Sequence, residues 1–101
     1  MWNKFLSVFS LKTESVSKIT KIYPNPVSKI SRIDFYLTEK QYISLKIYDL
    51  YGKVIMMLAG GEYDTGNHTV EANMEKCDGG IYLVVLQTKS IQNTRKIIVI
   101  K

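Results

Sequence analysis

Residues 33–37 read Ile-Asp-Phe-Tyr-Leu and residues 43–47 read Ile-Ser-Leu-Lys-Ile, so an apolar side chain falls on every second position twice in close succession. A period of two collects those side chains on one face of an extended strand, whereas a helix would scatter them around its axis. These two runs anchor strands near residues 32–38 and 42–49. Five further short runs lie near 19–23, 53–59, 68–73, 80–88 and 94–100. Polar or glycine-bearing connections separate them at intervals of about 8–12 residues, the spacing of a sandwich or barrel. The predicted fold is all-β: an immunoglobulin-like antiparallel β-sandwich of about seven strands.

The connections carry their own expectations. "TEKQ" is a short polar link between the two alternating runs and predicts that they form an antiparallel hairpin. "DLYG" places Asp49 first and Gly52 last in a four-residue type I turn, which reverses the chain into "KVIMML". "AGGEYDTGN" reads as a loop, with three glycines, an aspartate and an asparagine, and "KCDGG" as another, where Gly79 and Gly80 permit positive φ. "KVIMMLAGG" also suits a short helix, but the flanking turns favour a strand. "HTVEA" is a weaker strand through Val70 and Ala72. "IYLVVLQT" is apolar on both parities, as in a central strand buried on both faces.

The 101 residues allow one domain and one modest core. The single cysteine, Cys77, has no internal disulfide partner, and with His68 it lacks the third group that a Cys/His nucleophile needs. Glu62, Asp64, Glu71, Glu75 and Asp78 fall on loops or the weak strand without a second histidine. Hydrolytic and zinc chemistry therefore lack their minimum parts, and neither an enzyme nor a bound metal or cofactor is expected. The net charge of +5 sits in residues 1–46, which hold eight Lys/Arg against three Asp/Glu; residues 47–101 hold six of each. The basic residues are scattered and lack an aromatic-plus-basic signature, which argues against nucleic acid. "MWNKFLSVFSL" is interrupted by Asn3, Lys4, Ser7 and Ser10, has no small-residue cleavage pattern after it, and is too short to span a membrane. With the polar, aperiodic "KTESVSKIT" it makes residues 1–20 a flexible linker or lead-in and 21–101 the folded domain.

Between the lead-in and the first clear alternation stands "KIYPNP". Pro24 and Pro26 fix two φ angles and remove two backbone donors, so the chain should leave its first strand stiffly and be unable to pair onward. Tyr23 and Asn25, each before a proline, are biased to extended conformations. The Tyr23 ring is free to pack over an open sheet edge.

"YPNP", the alternating "RIDFYL", then "LKIYDLYGKVI", "GNHTV", "GGIYLVVLQT" and a terminal "RKIIVIK" together resemble the C-terminal sorting domain of type IX (Por) secretion cargo, in its type A form. The likeness runs from about Lys21 to Lys101. It implies an address and no catalysis. In that family a Sec-exported protein of the Bacteroidota carries the sandwich behind a covalently linked N-terminal passenger. The outer-membrane translocon recognises it, a surface sortase-like peptidase cuts upstream, and the passenger is released or attached at the cell surface.

Carried over by position, the recognition motif comprises Tyr23, Pro24, Asn25 and Pro26; Tyr48, Asp49 and Gly52 at the central turn; Gly66 and His68; Gly80 and Tyr82; and the tail with Arg95, Lys96 and Lys101. Cleavage is expected within residues 12–20. The resemblance thus implies passage through the periplasm to the surface or the medium.

Most of these residues also have purely structural roles in turns and core. The terminal strand, bearing Arg95, Lys96 and Lys101, is expected to be an edge that either protects itself by charge or offers main-chain pairing to a receptor or to a second copy. A competing expectation is a cell-surface adhesive or carbohydrate-binding module using Tyr36, Tyr42, Tyr51 and Tyr63. Two departures from the family stand out. Ala72 or Asn73 occupies the place where the fifth strand commonly carries tryptophan. The chain also shows neither a Sec signal nor a passenger, as a domain excised from a longer cargo or a shortened gene would.

Overall fold

A computed structural model describes residues 16–101 as a sandwich of seven strands. They are β1 (Lys18–Tyr23), β2 (Ile30–Leu37), β3 (Gln41–Tyr48), β4 (Val54–Tyr63), β5 (Gly66–Asn73), β6 (Gly80–Gln87) and β7 (Gln92–Val99). All pairings between these strands are antiparallel, in a three-stranded sheet ordered β1-β2-β5 and a four-stranded sheet ordered β4-β3-β6-β7. No helix among the described residues is long and apolar enough to cross a membrane.

The alternation in the sequence sets what lies between the layers. β2 buries Ile33, Phe35 and Leu37, β3 buries Ile43, Leu45 and Ile47, and Tyr82, Val84, Leu86, Ile97 and Val99 complete the facing wall. Each large apolar side chain removed from water in this way contributes about 1.5–3 kcal/mol. The core is therefore the main source of stability for so small a domain.

The hairpin expected between β2 and β3 does not form. β2 pairs with β1 and β5, and β3 pairs with β4 and β6. Both alternations point into the same core, but from opposite sheets, so the link at residues 38–40 crosses between layers. At its start the Thr38 N–H donates to Ser17 Oγ at 3.0 Å.

A second correction concerns "AGGEYDTGN". β4 continues through Gly60 and Gly61 to Tyr63, and only residues 64–65 connect it to β5. Pairing with Gln41–Leu45 holds the glycines in the ladder, and Met57 lies across Gly60 where a Cβ would otherwise stand. Register shifts near Leu58 and Ile55 bulge this strand.

β6 is central in its sheet, as its composition predicts. Its inner residues Tyr82, Val84 and Leu86 are buried. Its outer face is only partly covered: Val85 is buried, Leu83 is half-buried and Ile81 is 41% exposed. Burial on both faces is thus only partly realised, because a two-layer sandwich covers one face of each sheet.

Candidate functional site

After Tyr23 the chain leaves the three-stranded sheet and runs along the outer edge of β7. Pro24 and Pro26 cannot donate, but Asn25 substitutes its side chain for a peptide unit. Its Nδ2 donates to the Lys96 carbonyl at 2.9 Å, and its Oδ1 accepts the Ile98 N–H at 2.9 Å. Val27 continues with its own backbone in a parallel bridge to Val99, its N–H donating to the Ile98 carbonyl at 2.8 Å and its carbonyl accepting the Ile100 N–H at 2.9 Å. The Val27 side chain is buried in the core, and the buried Ser31 hydroxyl donates to the Pro24 carbonyl at 2.9 Å.

Two expectations are corrected here. The segment does pair onward, through an amide side chain and then through Val27. The edge of the terminal strand is not open: from Lys96 to Ile100 it is occupied by Asn25 and Val27.

β7 closes the edge of β1 in return. The Ile19 N–H donates to Asn93 Oδ1 at 2.9 Å, and the Arg95 guanidinium donates to the Ile19 carbonyl at 3.1 Å, beside the bulge between Ile19 and Lys21. The two sheets are therefore stapled along one side by side chains. At the chain's end the Lys101 ammonium donates to the carbonyls of Glu75, Met74 and Ser28 at 2.8, 3.3 and 3.3 Å. It clasps the β5–β6 loop to the loop ahead of β2. Tyr23 stands opposite Arg32, with Lys21 Nζ 4.5 Å and the Arg32 guanidinium carbon 5.6 Å from its ring centroid. It carries cations on a sheet face instead of covering an edge.

The other predicted motif residues lie in two further places. Tyr48 ends β3, and Asp49 then organises the turn: its carbonyl accepts the Gly52 N–H at 3.1 Å, and its Oδ1 accepts the N–H groups of Tyr51 and Lys53, each at 2.9 Å. Gly52 sits at φ +88°, where an L side chain is strained. Across the β3–β6 ladder from this turn, Gly80 opens β6. The buried Tyr82 hydroxyl donates to the Asp78 carbonyl at 2.7 Å, the geometry of the tyrosine corner of immunoglobulin-like sandwiches. Burial pushes the Tyr82 phenol above its ordinary value, and the nearby Cys77, Asp78 and Asp49 charges add to the shift.

Gly66 and His68 begin β5. His68 Nε2 lies 2.7 Å from the Asp64 carbonyl, which only accepts, so Nε2 carries a proton. Its ring stacks on Phe35 with centroids 5.2 Å apart and meets Tyr63 edge-on at 5.1 Å. His68 is thus an aromatic packing residue. Cys77 belongs elsewhere, packed at the rim of the core, where burial raises its thiol above the ordinary value against the opposing pull of Lys101. The four tyrosines considered for sugar stacking are dispersed. Tyr36 is on β2, Tyr42 on β3, Tyr51 on the turn and Tyr63 in the cluster with His68.

Val27, Ser31 and Asn93 were not singled out from sequence. Val27 had a signal, being the lone apolar residue in "PNPVSK". Ser31 lies in phase with Ile33, Phe35 and Leu37. Asn93 had none, since its role depends on β1 lying alongside β7.

Among known proteins, the family described as secretion system C-terminal sorting domain matches residues 21–101. No curated protein and no solved structure matches the chain. The matched span covers the Asn25 and Val27 pairing along β7, the Asp49 turn and the Lys101 clasp, and the family is one of sorting signals, not of enzymes. The chain belongs to the secretion system C-terminal sorting domain family, the sorting domain of type IX secretion cargo.

Proposed function

We propose that this domain is the export address for a passenger attached ahead of it, read in folded form by the type IX outer-membrane translocon. A sortase-like surface peptidase then separates passenger from address, and the passenger is released or attached at the cell surface. The observation that carries this reading is the family match from Lys21 to Lys101.

The motif residues act mainly by making the sandwich. Asn25, Arg95 and Lys101 tie the first and last segments of the domain together, and Asp49, Gly52, Gly66, Gly80 and Tyr82 shape turns and core. A chain lacking its tail loses the staple and the clasp at once, which supports a requirement for an intact C-terminus without an open terminal edge.

The test is export of a reporter made of a Sec signal, a fluorescent protein and residues 1–101. It is expressed in a type IX-competent bacterium and in a translocon-deficient strain. Fluorescence at the surface or in the medium of the competent strain alone is the expected result. Retention in the periplasm of both strains would overturn the reading.

A further inference from the structure

The two outer faces of the sandwich differ in chemistry. On the three-stranded sheet the outer face is mostly polar, with the rows Tyr23–Arg32–Glu71 and Lys21–Asp34–Thr69 running across it and Ile30, 46% exposed, at its end. On the four-stranded sheet the corresponding rows are Val54–Tyr48–Leu83–Lys96 and Met57–Lys46–Val85–Thr94, with Ile81 beside Ile98. Val54, Met57 and Ile81 are 46%, 57% and 41% exposed, and the adjoining turn projects Leu50 and Tyr51 at 60% and 96%. An antiparallel sheet with one solvated face ordinarily alternates to polar residues there. β6 departs from that rule: on its outer face Ile81 is exposed and Leu83 half-buried, and only Val85 is buried. A contiguous apolar surface of this kind marks an interaction site.

The charges around it specify the partner. Lys46 stands within the patch, and Lys53 and Lys96 stand at its borders. The sole ion pair among the described residues joins Lys40 to Glu62, beside Tyr42 at the far end of this face. Asp49 is turned into its own loop by two backbone bonds. We infer that the outer face of the four-stranded sheet, centred on Tyr48, Val54, Met57, Ile81 and Leu83, docks an apolar protein surface fringed with carboxylates on the export machinery. A second copy fits poorly, because two-fold stacking of this face sets lysines against lysines. A broad sheet face holding a half-buried tyrosine and a methionine suits a complementary protein surface better than insertion into lipid.

The inference rests on the export reading above, and the experiment separates the two. The full-chain reporter is compared with V54T/M57Q/I81T, with K46E/K53E/K96E, and with Glu71→Gln on the opposite face. Urea midpoints of the purified chains establish that each variant folds. Export of the unaltered chain and of Glu71→Gln, with about a tenfold or greater loss in both triple variants, is the expected result. Normal export of either folded triple variant overturns the inference and leaves the export reading intact; no export of the unaltered chain overturns both. Cosedimentation of the unaltered chain with phosphatidylglycerol vesicles that V54T/M57Q/I81T abolishes would reassign the face to lipid. A dimer in sedimentation that the same substitutions dissolve would reassign it to a second copy.

Discussion

Asn25 lies against Lys96 as a neighbouring strand would, donating through Nδ2 to its carbonyl at 2.9 Å while receiving the Ile98 N–H on Oδ1. The prolines on either side of it supply no N–H, and the donor that meets the Lys96 carbonyl is the Asn25 side chain. Asn25→Asp keeps the shape but replaces the donor with a carboxylate oxygen facing a carbonyl. Both bonds are exposed, so we expect Asn25→Asp and Asn25→Ala each to lower stability by about 1–2 kcal/mol. Faster amide exchange at Ile98 would accompany the loss. Urea unfolding and hydrogen exchange check this, and an unchanged Ile98 amide would show that the staple is dispensable.

Lys101 offers a second test of closure. Its ammonium reaches three carbonyls from two loops, and no aliphatic side chain can replace those donors. Lys101→Met keeps much of the stem and removes the charge. The group is exposed, so the expected cost is modest, about 0.5–1.5 kcal/mol, or a fall of several degrees in Tm for a domain of this size. Exchange should quicken in residues 74–79 and stay unchanged in β3; calorimetry and exchange mapping together read this out.

The turn at Asp49 separates side-chain from backbone effects. Asp49→Ala removes an acceptor shared by two N–H groups, and Gly52→Ala forces a Cβ into φ +88°. Each should cost about 1–2 kcal/mol. Asp49→Asn retains an acceptor oxygen and should recover most of the first loss. Equal destabilisation by Asn and Ala in denaturant titrations would remove the acceptor role.

Local order was legible in the sequence because it is written in local chemistry. Ile33, Phe35 and Leu37 announce a strand and its buried face, and Asp49 with Gly52 announces a turn. Sheet membership is not local. Ile43, Leu45 and Ile47 point into the core whether β3 lies beside β2 or opposite it, so alternation left the false hairpin standing. Gly60 and Gly61 looked like loop residues because glycine disfavours strands; pairing with β3 and the Met57 side chain above Gly60 outweigh that preference. Asn25 was marked as part of a motif, but an amide serving as a strand needs β7 beside it, and nothing within "YPNP" places β7 there.

Tyr82 predicts the alkaline limit of the fold. Its folded pKa is raised above the ordinary 10.0, first by burial, so the neutral phenol is favoured in the native state. The stabilisation is full below the unfolded pKa and disappears as pH rises through the folded one. Cys77, raised above 9.0 by burial, acts in the same direction. Stability should therefore begin to fall above about pH 9 through Cys77 and fall further above about pH 10 through Tyr82, whose phenolate also loses its donation to the Asp78 carbonyl. Absorbance at 295 nm should show a delayed ionisation that Tyr82→Phe eliminates. Its persistence in that variant would assign the step to another tyrosine.

For the proposed removal of the domain, the fold bears on where a cut would fall. A peptidase needs several residues of extended, accessible backbone, and strands bound into a sheet do not supply it. Lys18–Tyr23 is paired with β2, and the buried Ser17 hydroxyl accepts the Thr38 N–H, so the sandwich holds the chain from Ser17 onward. Of the window 12–20 proposed for cleavage, residues 12–15 lie outside the described residues, and a cut from Ser17 onward would require the sheet to open. Mass spectrometry of the domain shed by a competent strain should therefore find its N-terminus at or before Ser17. A new terminus at Thr20 or beyond would mean that β1 is pulled from its sheet before cleavage, and the recognised form would then be a partly opened sandwich.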